Sequence, residues 1–415
     1  MPYICHIYSE IKRKVDIRKE DIIVIDTKNF RTKTIFMPRK NPGTDSVWEI
    51  ALDIGYSAIK GFSPNSVYCF PSYATKITKD RLNIGKSSYD EILYRDCATQ
   101  ELWSVGASAQ RDLSDTNSQD SLTALYGRNR YFSPMFLVIA RVGLALGMIA
   151  NNYGAPSDKP LVLQTGLPPA YLKSDTPLLK EVLGGKHEFD VKVGNEKWTH
   201  FSFELPESNI SVMAQPMGTL ISIATDYNGR FTADANKYFS SKIIILDPGF
   251  GTFDTFCIRN KAIDSWETFD NLGMKRVFTE TVDKIFKEHG VEITVPAIQK
   301  HLETGDFEKF IRKERRTDLI PFADILDECN TMVCQEALEK LDTIYNNMLE
   351  FDYMVITGGT GSAWRDQITE YYSGMKKLKI LYGGQNDTID GIFANVRGYY
   401  MYQLARMRTL ERKGK

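Results

Sequence analysis

The sequence predicts an α/β fold built from two related halves. Apolar, strand-like segments alternate with helix-like segments along most of the 415 residues, which is typical of α/β domains. One pattern also occurs twice, about 195 residues apart: an apolar strand, an Asp-x-Gly turn and a second strand, at ALDIGYSAIK (51–60) and LDPGFGTFDT (246–255). This internal echo indicates two related halves, whereas no short tandem repeat is visible.

Composition excludes several classes of protein. The 52 Lys and Arg residues nearly balance the 53 Asp and Glu residues, so the net charge of −1 excludes a globally basic nucleic-acid coat. A hydrophobic fraction of 42% excludes a disordered chain. Six cysteines in 415 residues are too sparse for a disulfide scaffold, and the absence of a CxxC pair excludes a zinc ribbon. The five scattered histidines argue against a histidine-rich metal site. We expect five of the cysteines to be packed in apolar surroundings: Cys69, Cys97, Cys257, Cys329 and Cys334.

Nothing in the sequence predicts a membrane span or a secretory signal. The most apolar stretch, at 135–150, is interrupted by Arg141 and is too short to cross a bilayer. The first residues, MPYICHIYSEIKRK, carry their charges after a short apolar segment and lack a small-residue cleavage site. We therefore expect a soluble, cytoplasmic protein.

The first 45 residues differ from the rest. Residues 1–40 hold ten Lys and Arg against five Asp and Glu. DIIVID (21–26) and TKTIFM (32–37) read as two short strands, and NPGTDS (41–46) is typical of a linker. The sequence thus predicts an appended element with a boundary near residue 46.

The first candidate site is the turn that follows the strand at 48–54. The strand delivers Asp53 to its end, Gly55 allows a tight turn, and Lys60 begins the return strand. Such a turn can bind phosphate, with the lysine as a point charge and the aspartate on a hydrated Mg²⁺ ion. An ordinary Asp-Gly hairpin is the alternative interpretation.

The second candidate site repeats this arrangement at residues 247–254. Gly249 and Gly251 flank one residue and would let backbone amides approach an anion, while the hydroxyl of Thr252 can donate a further hydrogen bond. A single turn of this kind would often be structural, but two in one chain favour phosphate binding.

The third candidate is TGGTGS (357–362), which follows a strand and precedes a helix-like segment. Helix N-termini bind anions, and small residues let a flat ring pack on the backbone, although a generic strand–helix loop is the alternative. None of the three turns is a P-loop, because GxxxxGK[ST] is absent, and GFGTFD lacks the third glycine of a dinucleotide-binding fingerprint.

In chain order these elements resemble the actin/sugar-kinase/heat-shock-chaperone ATPase superfamily. The two hairpins correspond to its phosphate elements and Gly358-Gly359 to its adenosine element. AQPMGT (214–219) and ANVRG (394–398) are similar to its two connecting elements. GLPP (166–169) and the segment 94–109 resemble the plasmid-segregation actins of the ParM/Alp group. The resemblance covers about residues 48–412.

The resemblance implies an actin-like ATPase fold, with two related α/β domains around a nucleotide cleft. The expected division is an N-terminal extension at 1–45, domain I at 46–226 with a small subdomain at 65–132, domain II at 227–389, and a C-terminal helix at 390–415 that returns to domain I.

The resemblance also implies a site for ATP and Mg²⁺. Asp53 and Asp247 would hold the ion, Lys60 the β- and γ-phosphates, and Gln215 lies where the family places a residue that orients the attacking water. Gln215 and Asp247 are thus the implied catalytic residues, although Gln215 also fits a polar strand end. The other implied nucleotide contacts are Gly55, Tyr56, Ser57, Gly249, Phe250, Gly251, Thr252, Asp254, Gly273, Lys275, Gly358, Gly359 and Thr360, with solvent exposure the alternative for the basic residue at 275.

The function implied is an ATPase that polymerises with Mg-ATP and segregates plasmid or other DNA. Its expected partners are further copies of itself and a DNA-binding adaptor protein, without direct nucleic-acid or membrane contact. Three alternatives stay open: a chaperone-like ATPase, disfavoured because we expect no substrate domain after residue 412, a small-molecule kinase, and a cell-shape or cell-division protein. The six Lys and Arg residues of 397–415 make a membrane-binding tail the alternative to a packed helix.

Overall fold

The structure is a computed structural model that describes residues 34–77, 91–110, 128–304, 308–313 and 316–413. The strands are β1 (Ile35–Pro38), β2 (Trp48–Ile54), β3 (Ala58–Ser63), β4 (Ser66–Pro71), β5 (Ala74–Lys76), β6 (Ile92–Asp96), β7 (Leu102–Val105), β8 (Leu161–Leu167), β9 (Gly185–Val193), β10 (Thr199–Leu205), β11 (Ile210–Ala214), β12 (Ile243–Pro248), β13 (Thr252–Arg259), β14 (Ala262–Asp270), β15 (Glu308–Lys313), β16 (Arg316–Pro321), β17 (Tyr353–Ile356) and β18 (Lys379–Tyr382). The α-helices are α1 (Pro134–Leu146), α2 (Leu172–Leu183), α3 (Gln215–Ala224), α4 (Ala235–Ser240), α5 (Met274–His289), α6 (Val295–Thr304), α7 (Ala323–Ile344), α8 (Gly359–Tyr371) and α9 (Ala394–Lys413).

Two sheets share one topology, as the internal echo of the sequence predicts. The first runs β1-β4-β3-β2-β8-β11 and the other β14-β13-β12-β17-β18. In each sheet, the strand that carries the Asp-x-Gly turn has two successive antiparallel strands on one side and two successive parallel strands on the other. Five strands of one sheet therefore match five of the other in order and direction, and the two-domain α/β prediction is confirmed.

Both central strands are buried on both faces. In β2, Leu52 packs in a core that includes apolar residues of α1, whereas the adjacent Ala51 packs in a core with residues of α9. In β12, Leu246 packs with α5, α7 and α8, whereas Ile245 packs with α3 and α4. The near-continuous apolar runs of these strands follow from this double burial, which also fixes the turn at the end of each strand.

Helices α3 and α9 cross between the two sheets at a very short distance. A Cβ atom on Gly398 would lie 1.8 Å from the carbonyl oxygen of Gly218, and one on Gly218 would lie 2.5 Å from the ring of Tyr399. Only glycine allows the two backbones to approach this closely. The crossing thus brings the connecting elements of the two domains into direct backbone contact.

A further five-stranded sheet, β10-β9-β6-β7-β5, packs on the first domain. Three of its strands come from the range 65–132 that we predicted as a small subdomain. The other two, β9 and β10, come from 185–205, so the sheet is completed by a later part of the chain.

Residues that directly precede β2 are built into the first domain. Strand β1 pairs antiparallel with β4 at the sheet edge. Arg39 forms a 3.0 Å ion pair with the buried Asp387, and the side chain of Asn41 donates to the carbonyl oxygen of Ser63 at 2.7 Å. The predicted strand at 32–37 thus coincides in part with β1, whereas the one at 21–26 lies outside the described residues.

The predicted helices agree with the structure to within a few residues. A cap at Ser133-Pro134 followed by an apolar run predicts a helix at 133–150, which is α1, and a long helical pattern predicts one near 321–349, which is α7. The β15–β16 hairpin and helix α2 were not predicted. No helix in the described part of the chain combines the length and apolarity that a membrane crossing needs.

Candidate functional site

The two Asp-x-Gly turns close in the same way. In the first, the backbone N–H of Gly55 donates to the carbonyl oxygen of Ala58 at 3.1 Å; in the second, the N–H of Gly249 donates to Thr252 at 2.8 Å. These two amides therefore stabilise the turns themselves and are not free to bind an anion.

The shared hairpin geometry gives each turn one pair of facing residues. Asp53 faces Lys60 across β2–β3, and Asp247 faces Asp254 across β12–β13. Lys60 and Asp254 thus occupy equivalent positions in the two domains. One turn carries an acid and a base, and the other carries two acids.

The backbone of the third turn lies directly against the second turn. Gly358 has φ of 81°, and a Cβ atom there would lie 2.5 Å from Oδ1 of Asp247. Glycine is therefore needed twice over at this position, for its left-handed conformation and for its close approach to the carboxylate. The turn leads directly into α8.

All three turns meet at one cavity of about 290 Å³. Most of the predicted site residues line it, including the implied catalytic residues. They are Asp53, Gly55, Tyr56, Ser57, Lys60, Gln215, Asp247, Gly249, Phe250, Gly251, Thr252, Asp254 and Gly358. Residues distant in sequence thus form one site, and Gln215 reaches it as the first residue of α3.

Four predicted nucleotide contacts lie outside the cavity wall. Gly273 and Lys275 lie at the start of α5, where the N–H of Lys275 donates to the carbonyl oxygen of Phe250 at 2.8 Å. Oγ1 of Thr360 donates to the carbonyl oxygen of Gly249 at 2.8 Å. These residues therefore support the second turn from behind. Gly359 does not line the cavity either.

The cavity also has a wall that sequence reasoning missed. Its additional lining residues are Ile54, Arg130, Tyr131, Pro168, Tyr171, Asp175, Ile392 and Asn395. Arg130 stacks on the ring of Tyr56 at 4.5 Å and donates to the carbonyl oxygen of Ile54 at 2.9 Å, so it holds the first turn from the side. No spacing pattern links Arg130 to that turn, because the contact is made only by folding.

Asn395 joins the cavity to the helix crossing. Its Nδ2 donates to Oδ2 of Asp247 at 3.2 Å, and its Oδ1 accepts a 2.5 Å hydrogen bond from Thr219. Asn395 lies in the predicted second connecting element and Thr219 in the first. The carboxylate of Asp247 is thus linked to α9 directly and to α3 through Asn395.

The electrostatics of the cavity are dominated by buried carboxylates. Burial raises the pKa of Asp247 to about 6; the charge of Lys60 opposes this rise, and the charges of Asp254 and Asp53 add to it. Burial also raises the pKa of Asp254, against hydrogen bonds from Thr268 and Thr252. Asp247 therefore changes its charge close to neutral pH.

Lys60 is the counter-charge of this cluster. Its Nζ lies 3.4 Å from Oδ2 of Asp53. Burial lowers the pKa of Lys60, but Asp53, Cys69 and Asp247 outweigh that effect, and the pKa is raised overall. The lysine is therefore fully protonated at neutral pH.

The donor set fits a hydrated divalent cation. Oδ1 of Asp53 is buried and has no hydrogen-bond partner in the described part of the chain. An orphaned carboxylate oxygen beside a second acid is a ligand set that Mg²⁺ prefers, through water molecules. Asp53 and Asp247 are the residues that would hold it.

We predict that Asp247→Asn stabilises the ligand-free protein at neutral pH. The pKa of Asp247 is about 6 in the folded chain against 3.8 in the unfolded one, so wild-type stability falls as pH rises through this window. Asparagine carries no charge, and the variant should gain about 1–3 kcal/mol at about pH 7.5 and little at about pH 4. Urea unfolding without nucleotide or Mg²⁺ measures this, with the exposed Asp366→Asn as the control. A variant with the wild-type pH dependence would contradict the prediction.

The comparisons with known proteins agree with this architecture. The family model described as the N-terminal domain of actin-like proteins matches residues 51–218. No curated protein sequence matches the chain.

Solved structures match over most of the chain. A non-polymerisable quadruple mutant of pCBH ParM is 22% identical with a TM-score of 0.65, and a 15-stranded ParM filament from Clostridium botulinum is 19% identical with a TM-score of 0.64. An archaeal actin homologue in complex with ADP is 16% identical with a TM-score of 0.60. Each match covers 86% of this chain and 99% of the other.

The resemblance to actin-like proteins of the ParM/Alp group is thereby confirmed. Residues 51–218 match the family model in sequence, and the chain as a whole has the actin-like fold.

Proposed function

We propose that this chain is an ATPase that polymerises with Mg-ATP into filaments and segregates plasmid or other DNA. The observation that carries the proposal is the single cavity at which Asp53, Lys60, Gln215 and Asp247 meet between two related domains. Relatives with the same fold have been solved as a 15-stranded filament and with ADP, and both support the same behaviour here.

The residues of the cavity suit a nucleotide triphosphate with its cation. Lys60 supplies the positive charge for the β- and γ-phosphates, and the turns at 53–60 and 247–254 enclose them from two sides. When bound, Mg²⁺ would neutralise phosphate charge and the carboxylates of Asp53 and Asp247 together. We expect the adenosine near Gly358, which lines the cavity at the turn that leads into α8.

Hydrolysis requires a correctly positioned water molecule and a group that accepts its proton. Gln215 lies at the N-terminus of α3 and lines the cavity, where its amide can orient a water molecule. An amide is too weak a base to take the proton itself. The carboxylate of Asp247 lines the same cavity, but a bound cation would lower its basicity, so neither group is a strong proton acceptor. We therefore expect slow turnover, suited to timing the life of a filament.

Coupling between nucleotide and filament would run through the helix crossing. Asn395 contacts Asp247 on one side and Thr219 on the other, so a change at the carboxylate reaches both connecting helices. Domain closure would then alter the surfaces that adjacent subunits share, and a head-to-tail contact that does not close gives an open helical filament. We place this filament in the cytoplasm, with a DNA-binding adaptor protein as its link to the cargo and without membrane contact.

We predict that Lys60→Ala lowers the affinity for Mg-ATP by at least about tenfold and abolishes ATP-dependent pelleting. The substitution removes the one ammonium group that faces Asp53 in the cavity. Equilibrium titration with ATP, followed by sedimentation and negative-stain microscopy with Mg-ATP, Mg-ADP and no nucleotide, measures both effects. The exposed Lys76→Ala is the matched control.

Unchanged ATP affinity in Lys60→Ala would contradict the assigned site. Normal ATP binding by the wild-type chain without filaments would favour another ATPase of the same fold, such as a chaperone-like protein or a small-molecule kinase.

We predict that Gln215→Ala and Asp247→Ala each slow phosphate release by at least about tenfold and leave ATP affinity within about threefold of the wild type. Their filaments should persist longer, because the ATP state is not consumed. Phosphate release, ATP titration and light-scattering decay measure the three effects. If both variants hydrolyse ATP at the wild-type rate, the catalytic roles proposed for these residues are wrong.

We propose that the N-terminal extension contacts a neighbouring subunit or partner. Its described part contains β1, which lies at the edge of the sheet among the described residues, and edge strands expose backbone groups that pair readily with another chain. Because Arg39 and Asn41 are bonded into the fold, a test must separate that described part from the residues before it.

We predict that deletion of 1–33 leaves ATP affinity unchanged and shifts the critical concentration for polymerisation by at least about threefold. Deletion of 1–45 should in addition lower the free energy of unfolding by at least about 2 kcal/mol, because it removes β1 and the Arg39–Asp387 pair. Pelleting across a concentration series and urea unfolding measure the two effects. An unchanged critical concentration after deletion of 1–33 would overturn the proposed contact.

A further inference from the structure

Three metal-binding side chains converge on an exposed face of the β10-β9-β6-β7-β5 sheet. His200 of β10 lies directly across from Asp190 of β9 in the strand register. Cys97 follows the end of β6, and its backbone N–H donates to the carbonyl oxygen of Glu188 on β9. The register of three adjacent strands therefore brings these side chains together, and none of them lines the nucleotide cavity.

The donor atoms lie close to the spacing of a tetrahedral metal site. Nδ1 of His200 is 2.8 Å from Oδ1 of Asp190 and 4.0 Å from Sγ of Cys97, and all three donors lie within 4.8 Å of one another. Zn²⁺ bonded at ordinary lengths would place such donors about 3.3–3.6 Å apart. The His200–Asp190 and His200–Cys97 distances would each change by about half an ångström to reach that spacing, within the reach of side-chain rotation.

The surroundings orient Asp190 and leave the site open. Nε of Arg95 donates to Oδ2 of Asp190 at 2.8 Å, which leaves Oδ1 directed at the histidine. Arg95 is itself stacked on Trp198 at 4.9 Å. Groups that fix a ligating carboxylate in this way strengthen metal sites. The His200 side chain is 55% exposed, so an ion can enter from solvent.

The same residues do not form a nucleophilic triad. A triad places the carboxylate and the thiol on different nitrogens of the imidazole, whereas here both face Nδ1. Burial, with the charges of Asp190 and Glu188, raises the pKa of the Cys97 thiol, so the group is a poor nucleophile at neutral pH. Cys97 is also only partly buried, contrary to our expectation that it is packed like the other four.

We propose that Cys97 Sγ, His200 Nδ1 and Asp190 Oδ1 bind Zn²⁺ or a chemically similar divalent transition metal, with water in the fourth position. A thiolate and an imidazole favour Zn²⁺ over Mg²⁺, so this site and the carboxylate cavity select different ions. The ion would replace the proton shared by His200 and Asp190 and the proton of the thiol.

Cobalt(II) titration of the full-length, untagged, reduced protein tests the proposal. One equivalent should give a thiolate-to-metal charge-transfer band and the intense visible bands of a tetrahedral ion, and one equivalent of Zn²⁺ should abolish them. Cys97→Ser should lose the charge-transfer band, and His200→Ala should weaken Co²⁺ binding by at least about tenfold. His289→Ala, an exposed histidine beside Glu288, and Cys5→Ser are the matched controls and should behave as the wild type.

Circular dichroism confirms that each variant is folded before titration. A charge-transfer band that persists in Cys97→Ser, or a wild-type protein that binds Co²⁺ no better than the Cys97→Ser/His200→Ala double variant, would overturn the site.

Discussion

The molecule depends on holding more carboxylates than cationic groups in one cleft. Asp53, Asp175, Asp247 and Asp254 line it with Lys60 and Arg130, which leaves a formal balance of 2 − 4 = −2. Buried charge of one sign is costly unless it is neutralised. Two features offset this cost: Asp53 and Asp247 lie on strands that are buried on both faces, and the raised pKa of Asp247 lets that carboxylate take up a proton near neutral pH.

Because α3 and α9 cross, the cleft lies between two domains and not between two loops. α3 and α9 contact at Gly218 and Gly398, where neither backbone has room for a side chain. The hydroxyl of Tyr399 is buried beside the crossing without a hydrogen-bond partner among the described residues. A polar group left unsatisfied there makes the crossing sensitive to small displacements, which suits a hinge.

Sequence reasoning predicted the two halves, the hairpins and most of the cavity. The repeated Asp-x-Gly pattern is local, so its geometry follows from a few adjacent residues. Arg130 and Asp175 were missed because they reach the cavity only through tertiary packing and carry no spacing signal, whereas Asn395 lay in a predicted connecting element without being assigned to the site. The β15–β16 hairpin has a polar, charged sequence that gives no clear period-two pattern. Lys275 was placed by family position and in the structure holds the second turn from outside.

The matched hairpins also give the cleft a direction. Two walls with the same backbone carry opposite charges at equivalent positions, Lys60 on one and Asp254 on the other. An elongated polyanion is therefore attracted by one wall and repelled by the other, so it has one favourable orientation even before any base is recognised. The two walls, alike in backbone and opposite in charge, thus favour one orientation of an anionic ligand. They also require an accompanying cation at the acidic wall, which carries Asp254.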